Sequence, residues 1–294
     1  MTFTLLDLFY AAFAGAGIGF LSGMFGLGGG FLVVPVLNIV FAGIPMEIAV
    51  GAGASQVLGP ATTSLLARRV DRRHFRFPLT IMGGLLIGSY TGVLAIGWAR
   101  KYGTVELFGR TVVFIDIAVL TVYLALLLSI GVFVIWESSQ ASSLSARRIE
   151  GLLSGWHVPP CVHMAEFPDR QISITVLAWF GLAVGFLAGF LGMSGGLILL
   201  PGLVYLLGMR TQQAVTSSLV IVWLIALLNT AVHAWHGNIN LSLVMFLLMG
   251  GTVGARIGSE VGVKWGGQKL RKRFGWLLLF TAGLIGWKLF RVFS

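Results

Sequence analysis

The chain has 294 residues, of which 57% are hydrophobic and only 10% charged, with a formal net charge of +10, 41 glycines and one cysteine. Soluble domains carry about 25% charged residues; here apolar runs of about 20 residues recur along the whole length, which excludes an ordinary soluble domain and predicts a polytopic membrane protein. The basic excess then marks loops on the cytoplasmic side and not a nucleic-acid surface, and the lone Cys161 excludes an internal disulfide framework.

Five membrane segments are expected in the first half, at roughly 4–24, 31–42, 47–67, 77–98 and 111–136. The first has no basic flank or small-residue cleavage site, so Thr4–Met24 reads as a retained span and not a signal peptide. It runs into Gly19–Pro35, GFLSGMFGLGGGFLVVP, an apolar run cut by glycines and closed by a proline. A shift of 166 residues brings up Gly185–Pro201, GFLAGFLGMSGGLILLP, identical at eight of 17 positions. Gly84, Gly88 and Gly92 match Gly250, Gly254 and Gly258 at the same offset, a spacing that gives a smooth face for close helix packing.

The second half therefore repeats the first, with segments at roughly 173–192, 197–208, 211–235, 240–262 and 274–293. The short members, 31–42 and 197–208, reach about 18 Å, less than a hydrocarbon core of about 30 Å. An odd number of segments per half turns the second copy upside down. The loop 68–76, with Arg68, Arg69, Arg72, Arg73 and Arg76, should be cytoplasmic, as should 264–273; the counterpart of the former, around His236–Asn240, carries no lysine or arginine and should face outward. Arg100–Arg110 is mildly basic yet falls outside in this scheme.

The expected fold is thus all-α, with two inverted-topology repeats, 1–136 and 173–294, joined by a cytoplasmic linker, 137–172. In the linker, Glu137–Ser145 reads as flexible and Arg147–Trp156 as a short amphipathic surface helix. His157, Cys161 and His163 lack a fourth ligand, so no metal site or cofactor is expected. The glycine faces are either consumed within one chain or shared with a second copy in a homodimer. Membrane lipid is the expected surroundings.

The two glycine breaks are the first candidates for chemistry. At Gly28, Gly29 and Gly30, and at Ser194, Gly195 and Gly196, backbone N–H groups free of β-carbons can turn toward one point, and a helix starting at Phe31 or Leu197 adds its positive end. Such a place favours a small anion, and two matching breaks in corresponding halves point to a transporter site at the repeat interface.

This duplicated glycine segment, with its following proline, resembles the TauE/SafE family of sulfite and organosulfonate exporters. Ala49-Val50-Gly51 with Ser55, matched by Ala214–Ser218, and Val70–Arg73 add to the resemblance, which covers roughly 15–98 and 181–262. It implies a membrane transporter for a sulfur-containing anion. The departure is Gly51-Ala52-Gly53-Ala54, which stands where the second half is rich in hydroxyls, and weights binding toward the second half.

Polar side chains inside the spans complete the candidates. Ser55, Gln56, Thr216, Ser217 and Ser218 can offer hydrogen bonds to sulfonate oxygens, against the plainer reading that hydroxyls bond their own helix. Asn38 and Asn229 are amides in apolar surroundings. Asp116 is an intramembrane carboxylate and a candidate proton-coupling group. Arg256, one turn from Glu260, either forms a surface pair or guides anions inward, and His233 and His236 are placed to line an exit. The competing functions are an anion channel and an intramembrane serine protease using Ser194, in a GxSG string, with His233.

Overall fold

The computed structural model describes all residues except 1–3, 26–29, 42, 68–74, 108–109, 145–150, 154, 157, 165–166, 168–170, 194, 266 and 294. The first half holds α1 (Leu5–Phe25), α2 (Gly30–Val40), α3 (Met46–Gln56), α4 (Leu58–Ala67) and α5 (Arg76–Lys101). An antiparallel hairpin, β1 (Thr104–Leu107) with β2 (Arg110–Val113), leads into α6 (Phe114–Leu144). A second hairpin, β3 (Cys161–His163) with β4 (Gln171–Ser173), precedes α7 (Ile174–Leu191). Then follow α8 (Gly196–Pro201), a turn of π-helix over Gly202–Leu206, α9 (Thr211–Trp235), α10 (Leu241–Trp265) and α11 (Gly267–Phe293). Among the described residues seven helices, α1, α5, α6, α7, α9, α10 and α11, are long and apolar enough to cross a membrane. The protein is an all-α, multi-pass membrane protein.

Several sequence expectations change. The segment 47–67 is not one helix: α3 stops at Gln56 and α4 starts at Leu58. Pro60 is the cause, because it has no N–H to offer the Gln56 carbonyl four residues back, and its ring crowds that carbonyl. Pro201 acts likewise in the second half, where the chain widens into a π-turn closed by Leu207 N–H to the Gly202 carbonyl at 3.0 Å. The last segment of the first half begins as strand β2, and its helix runs on to Leu144 through the serine-rich stretch read as flexible. The described part of 147–156 is turn and coil, not an amphipathic helix; 147–150, like the basic loop 68–74, lies outside the described residues.

The glycine breaks also sit differently. Each follows a helix of span length, α1 with 21 residues and α7 with 18, so the breaks close spans and do not interrupt them. The interruption within a span is the one at Gln56.

Lipid supplies no hydrophobic force to press helices together, so close packing must do it. Here glycines let backbones touch. On α1, Gly15, Gly19 and Gly23 face the backbone of Leu247, Gly251 and Ala255 on α10, while Gly250, Gly254 and Gly258 of α10 face Ala12, Ala16 and Phe20. On α5, Gly84, Gly88 and Gly92 meet Ala178, Leu182 and Phe186 of α7 in the same way, answered by Gly181, Gly185 and Gly189. Both crossings are parallel, since the numbers rise together. Each joins the first long helix of one half to the fourth segment of the other. The third pair, α6 with α11, is antiparallel: Gly275 lies against Ile135, Gly131 against Leu279 and Gly286 against Leu124. All three are contacts within one chain, so the glycine faces are already occupied.

Exposed tryptophans mark two levels. Trp98, Trp235 and Trp287 lie toward the C-terminal ends of α5, α9 and α11, and Trp136, Trp179 and Trp276 toward the opposite end of the bundle. Two aromatic belts are the signature of two membrane–water interfaces.

A β-carbon at Gly19 would come within 2.1 Å of the Gly251 carbonyl oxygen, whereas nothing lies within 4 Å at Gly83. Gly19→Val should therefore abolish the monodisperse peak in detergent size-exclusion chromatography. Gly83→Ala should leave it intact, with stability unchanged or raised by up to about 1 kcal/mol from helix propensity. Equal behaviour of the two variants would contradict the packing argument.

Candidate functional site: two buried amides at the helix crossings

The glycines of α3 place it deep in the protein. A β-carbon at Gly51 would meet the Asn238 carbonyl oxygen at 2.0 Å, and one at Gly53 the Gly192 carbonyl oxygen at 2.7 Å. The helix then ends at Gln56, which is 0% exposed. Its amide lies against Gly251, near the middle of α10, where that helix crosses α1; a β-carbon at Gly251 would come within 2.4 Å of the Gln56 nitrogen. Neither Nε2 nor Oε1 of Gln56 has a hydrogen-bond partner.

Asn229 of α9 is a second buried amide, in the other half and also 0% exposed, although at the offset of 166 Gln56 corresponds to Val222. Its Oδ1 accepts from the Ser89 hydroxyl, near the middle of α5 where that helix crosses α7, and its Nδ2 has no partner. Each half therefore sends an amide from its third segment to a crossing built on the other half's fourth segment. An unpartnered buried polar group costs about 1–3 kcal/mol, and such groups in a native fold call for an explanation. Donors and acceptors held unpaired in an apolar interior are what a polar ligand would complete.

His233, one turn beyond Asn229, does not line an exit. It is fully buried, its Nε2 donates to the Gly189 carbonyl at 3.1 Å, and the Asn238 Nδ2 donates to its Nδ1 at 3.4 Å. A carbonyl only accepts, which fixes the proton on Nε2. With both ring nitrogens engaged, the imidazole is not poised as the base of a serine nucleophile. His236 instead lies against Tyr90 and bonds back to the Val232 carbonyl.

The glycine breaks are partly visible. Gly192 and Gly195 hold the left-handed conformation, with φ of 64° and 70°, which makes the tight turn from α7 into α8. Gly192 lies on Val50 of α3, so this turn helps to seat the helix that carries Gln56. Gly30 and Gly196 are the buried first residues of α2 and α8. Gly28, Gly29 and Ser194 lie outside the described residues. Phe25 and Phe31, on either side of the first break, both pack on Phe274 of α11, at 4.9 and 5.8 Å between ring centres.

Among the hydroxyls the plainer reading holds for two. Ser55 donates to the Gly51 carbonyl at 2.9 Å and Ser218 to the Val215 carbonyl at 3.0 Å, each within its own helix. Thr216 and Ser217 share the start of α9 with Ser218, and Ser217 is buried. Arg256 and Glu260 are both exposed.

Asp116 lies in the first turn of α6, at one end of that span. Sequence reasoning missed Lys288 of α11, which meets Asn38. This half-buried lysine donates to the main-chain oxygen of Asn38 at 2.6 Å and also to its Oδ1. The signal was present as a single lysine within the last apolar run, Trp287-Lys288-Leu289-Phe290.

Comparison with known proteins decides the family. The sulfite exporter TauE/SafE family matches residues 11–285. The chain belongs to that family. A "Probable membrane transporter protein" of Xylella fastidiosa is 25% identical over 292 residues, covering 97% of both chains. A "Probable membrane transporter protein YunE" of Bacillus subtilis is 23% identical, covering 84% of this chain and 85% of the relative. A relative in Methanocaldococcus jannaschii, also named a probable membrane transporter protein, is 25% identical over 190 residues, or 63% of this chain and 57% of its own. No solved structure matches. The TauE/SafE membership makes the protein a membrane transporter and not an enzyme, which removes the protease reading together with the committed ring of His233.

Replacing Gln56 by leucine exchanges an unpartnered amide for an apolar group of similar size. Gln56→Leu should raise the thermal stability of the purified protein, by an amount equivalent to about 1–3 kcal/mol, while lowering transport. A destabilised variant would mean that Gln56 is already satisfied in the resting protein.

Proposed function

We propose that this chain is a secondary transporter that exports a small sulfur-containing anion, sulfite or an organosulfonate such as sulfoacetate, across a bacterial cytoplasmic membrane by alternating access. The observation that carries the reading is the pair of unpartnered amides, Gln56 and Asn229, buried at the two helix crossings. Their N–H groups are suited to sulfonate oxygens, which accept several hydrogen bonds while spreading their charge. Family membership supports the substrate class.

Two inverted repeats, 1–136 with the extension of α6 to Leu144, and 173–294, are the moving parts in this reading, joined by the linker. The antiparallel pairing of α6 with α11 supports an inverted relation. These two helices are the fifth segments of their halves, and a twofold axis lying in the membrane plane sets such equivalents antiparallel where they meet. The basic loops 68–76 and 264–273 then face the cytoplasm with the linker. Rocking of the halves would expose the amide sites alternately, and a mid-membrane helix break at Gln56 is the kind of irregular backbone that transporters keep at their binding sites. A departing anion gains about 2.3 kcal/mol per charge for each 100 mV of inside-negative potential.

The test is counterflow in proteoliposomes with sulfite, sulfoacetate, taurine, sulfate and acetate. The expected result is saturable exchange with a sulfonate or sulfite, reduced at least tenfold in Gln56→Leu. Flux that never saturates would favour a channel, and exchange of acetate alone would remove the sulfur-anion assignment.

A further inference from the structure

Both short segments end in a turn that a distant part of the chain caps, and the two caps lie at opposite membrane interfaces. At offset 166 the end of α2, Asn38–Val40, corresponds to Val204–Leu206, the end of the π-turn. Carbonyls in a last helical turn lack intrahelical donors and must be satisfied from elsewhere. On α2 the donor is Lys288 of α11, whose ammonium takes two oxygens of one residue, the main-chain carbonyl of Asn38 at 2.6 Å and its Oδ1. A cation is favourable at that end of a helix. On the π-turn the donors are main-chain N–H groups of the linker. Leu152 donates to the Tyr205 carbonyl at 3.0 Å and Leu153 to the Leu206 carbonyl at 2.9 Å. Gly151 lets this strap lie close, since a β-carbon there would come within 2.6 Å of the Leu206 carbonyl oxygen and nearer still to the main chain of Leu207 and Gly208.

The tryptophan belts place the caps. Lys288 follows Trp287, in the belt with Trp98 and Trp235. Leu153 and Trp156 instead line a small recess with Val176, at the start of α7, the helix that carries Trp179 of the other belt. Each cap also sits at a joint. α2 leads into α3, which ends at Gln56, and the Asn38 amide nitrogen reaches the Met46 sulfur at the start of α3, 3.9 Å away. The π-turn leads through Gly208, with φ of 64°, into α9, which carries Asn229. A tie on either short segment therefore holds the joint before a helix that presents one of the amides. Both ties are made in this structure, and both amides are 0% exposed.

We propose that the two caps are latches, one for each gate. Lys288 on α2 holds the outer face shut over Gln56, and the strap Gly151–Leu153 on the π-turn holds the cytoplasmic face shut over Asn229. This rests on the alternating-access reading above and names the contacts that part when each side opens. With both latches made, the amides are sealed from both faces. Parting one while the other holds opens a single side, which is what alternating access demands. At an interface, water takes over the carbonyls and the ammonium when a cap parts, so the exchange of hydrogen bonds is nearly even and a latch can open and close within one cycle. The strap belongs to the linker that joins the halves, and Lys288 to α11, which pairs with α6 of the other half. Rocking of the halves therefore acts on both caps directly.

The experiment uses the full chain with its one cysteine removed by Cys161→Ser, and one reporter beside each amide: Ser55→Cys next to Gln56, or Ser89→Cys against Asn229. A membrane-impermeant maleimide is applied without substrate to right-side-out and inside-out vesicles, and labelling rates are compared with the caps intact and broken. Lys288→Met should speed labelling of the Ser55→Cys reporter from the outer side. Gly151→Val should speed that of the Ser89→Cys reporter from the cytoplasmic side. Each gain should be about tenfold or more, as the loss of a charge-assisted hydrogen bond or of two main-chain bonds implies. Labelling from the opposite side should not change, and Lys288→Arg, which keeps a cation at the Asn38 carbonyl, should label as slowly as the intact protein. Only variants that keep the monodisperse detergent peak are compared, with Lys288→Leu and Leu153→Pro, which removes an N–H of the strap, replacing any that lose it. Faster labelling from both sides, from the wrong side or from neither would overturn the proposal. Opening as described in a protein that exchanges neither sulfite nor sulfoacetate would support the latches and count against the function proposed above.

Discussion

The structure depends on one constraint: helices in an apolar phase hold together only as well as their backbones fit. Water is not there to drive them together, and the chain meets this with glycines four residues apart on α1, α5, α7 and α10. The fit is reciprocal, since each partner supplies its own glycines to the same seam. Because the two parallel seams join the first long helix of one half to the fourth segment of the other, neither half is a separate core. The halves are interlocked.

Polar chemistry is possible only where that fit is interrupted. Pro60 ends α3 early and leaves Gln56 at the seam of α1 and α10, and the second half places Asn229 at the seam of α5 and α7. Most other buried polar groups near them are committed. His233 is held by Gly189 and Asn238, Ser55 and Ser218 by their own helices, and the Tyr123 hydroxyl donates to the Leu191 carbonyl at 2.8 Å. Among the described residues the two amides keep buried polar atoms without a partner, as does Gln213 at its Oε1, at the start of α9.

Much of this was legible in the chain. The repeat offset of 166, the small-residue faces, the short segments and the candidacy of Gln56, Asn229 and Asp116 all follow from residues in sequence, because glycine spacing and apolar length act locally. What was not legible depends on register between distant elements. Nothing in the sequence near Gly251 announces that Gln56 will meet it, and Lys288 reads as an ordinary helix-end lysine until Asn38, 250 residues away, is placed beside it. The break in the third segment is local as well, since Gly59-Pro60 is a helix breaker in the sequence itself. The turn at Gly192–Gly195 closes α7 and helps to seat α3, and the break between α3 and α4 is made by proline.

The most direct test of the account is a structure of the protein determined with sulfoacetate present. The account predicts a sulfonate within hydrogen-bond distance of Gln56 Nε2 or Asn229 Nδ2, at the seam of α1 with α10 or that of α5 with α7. An anion bound elsewhere, with both amides still unpartnered, would contradict it.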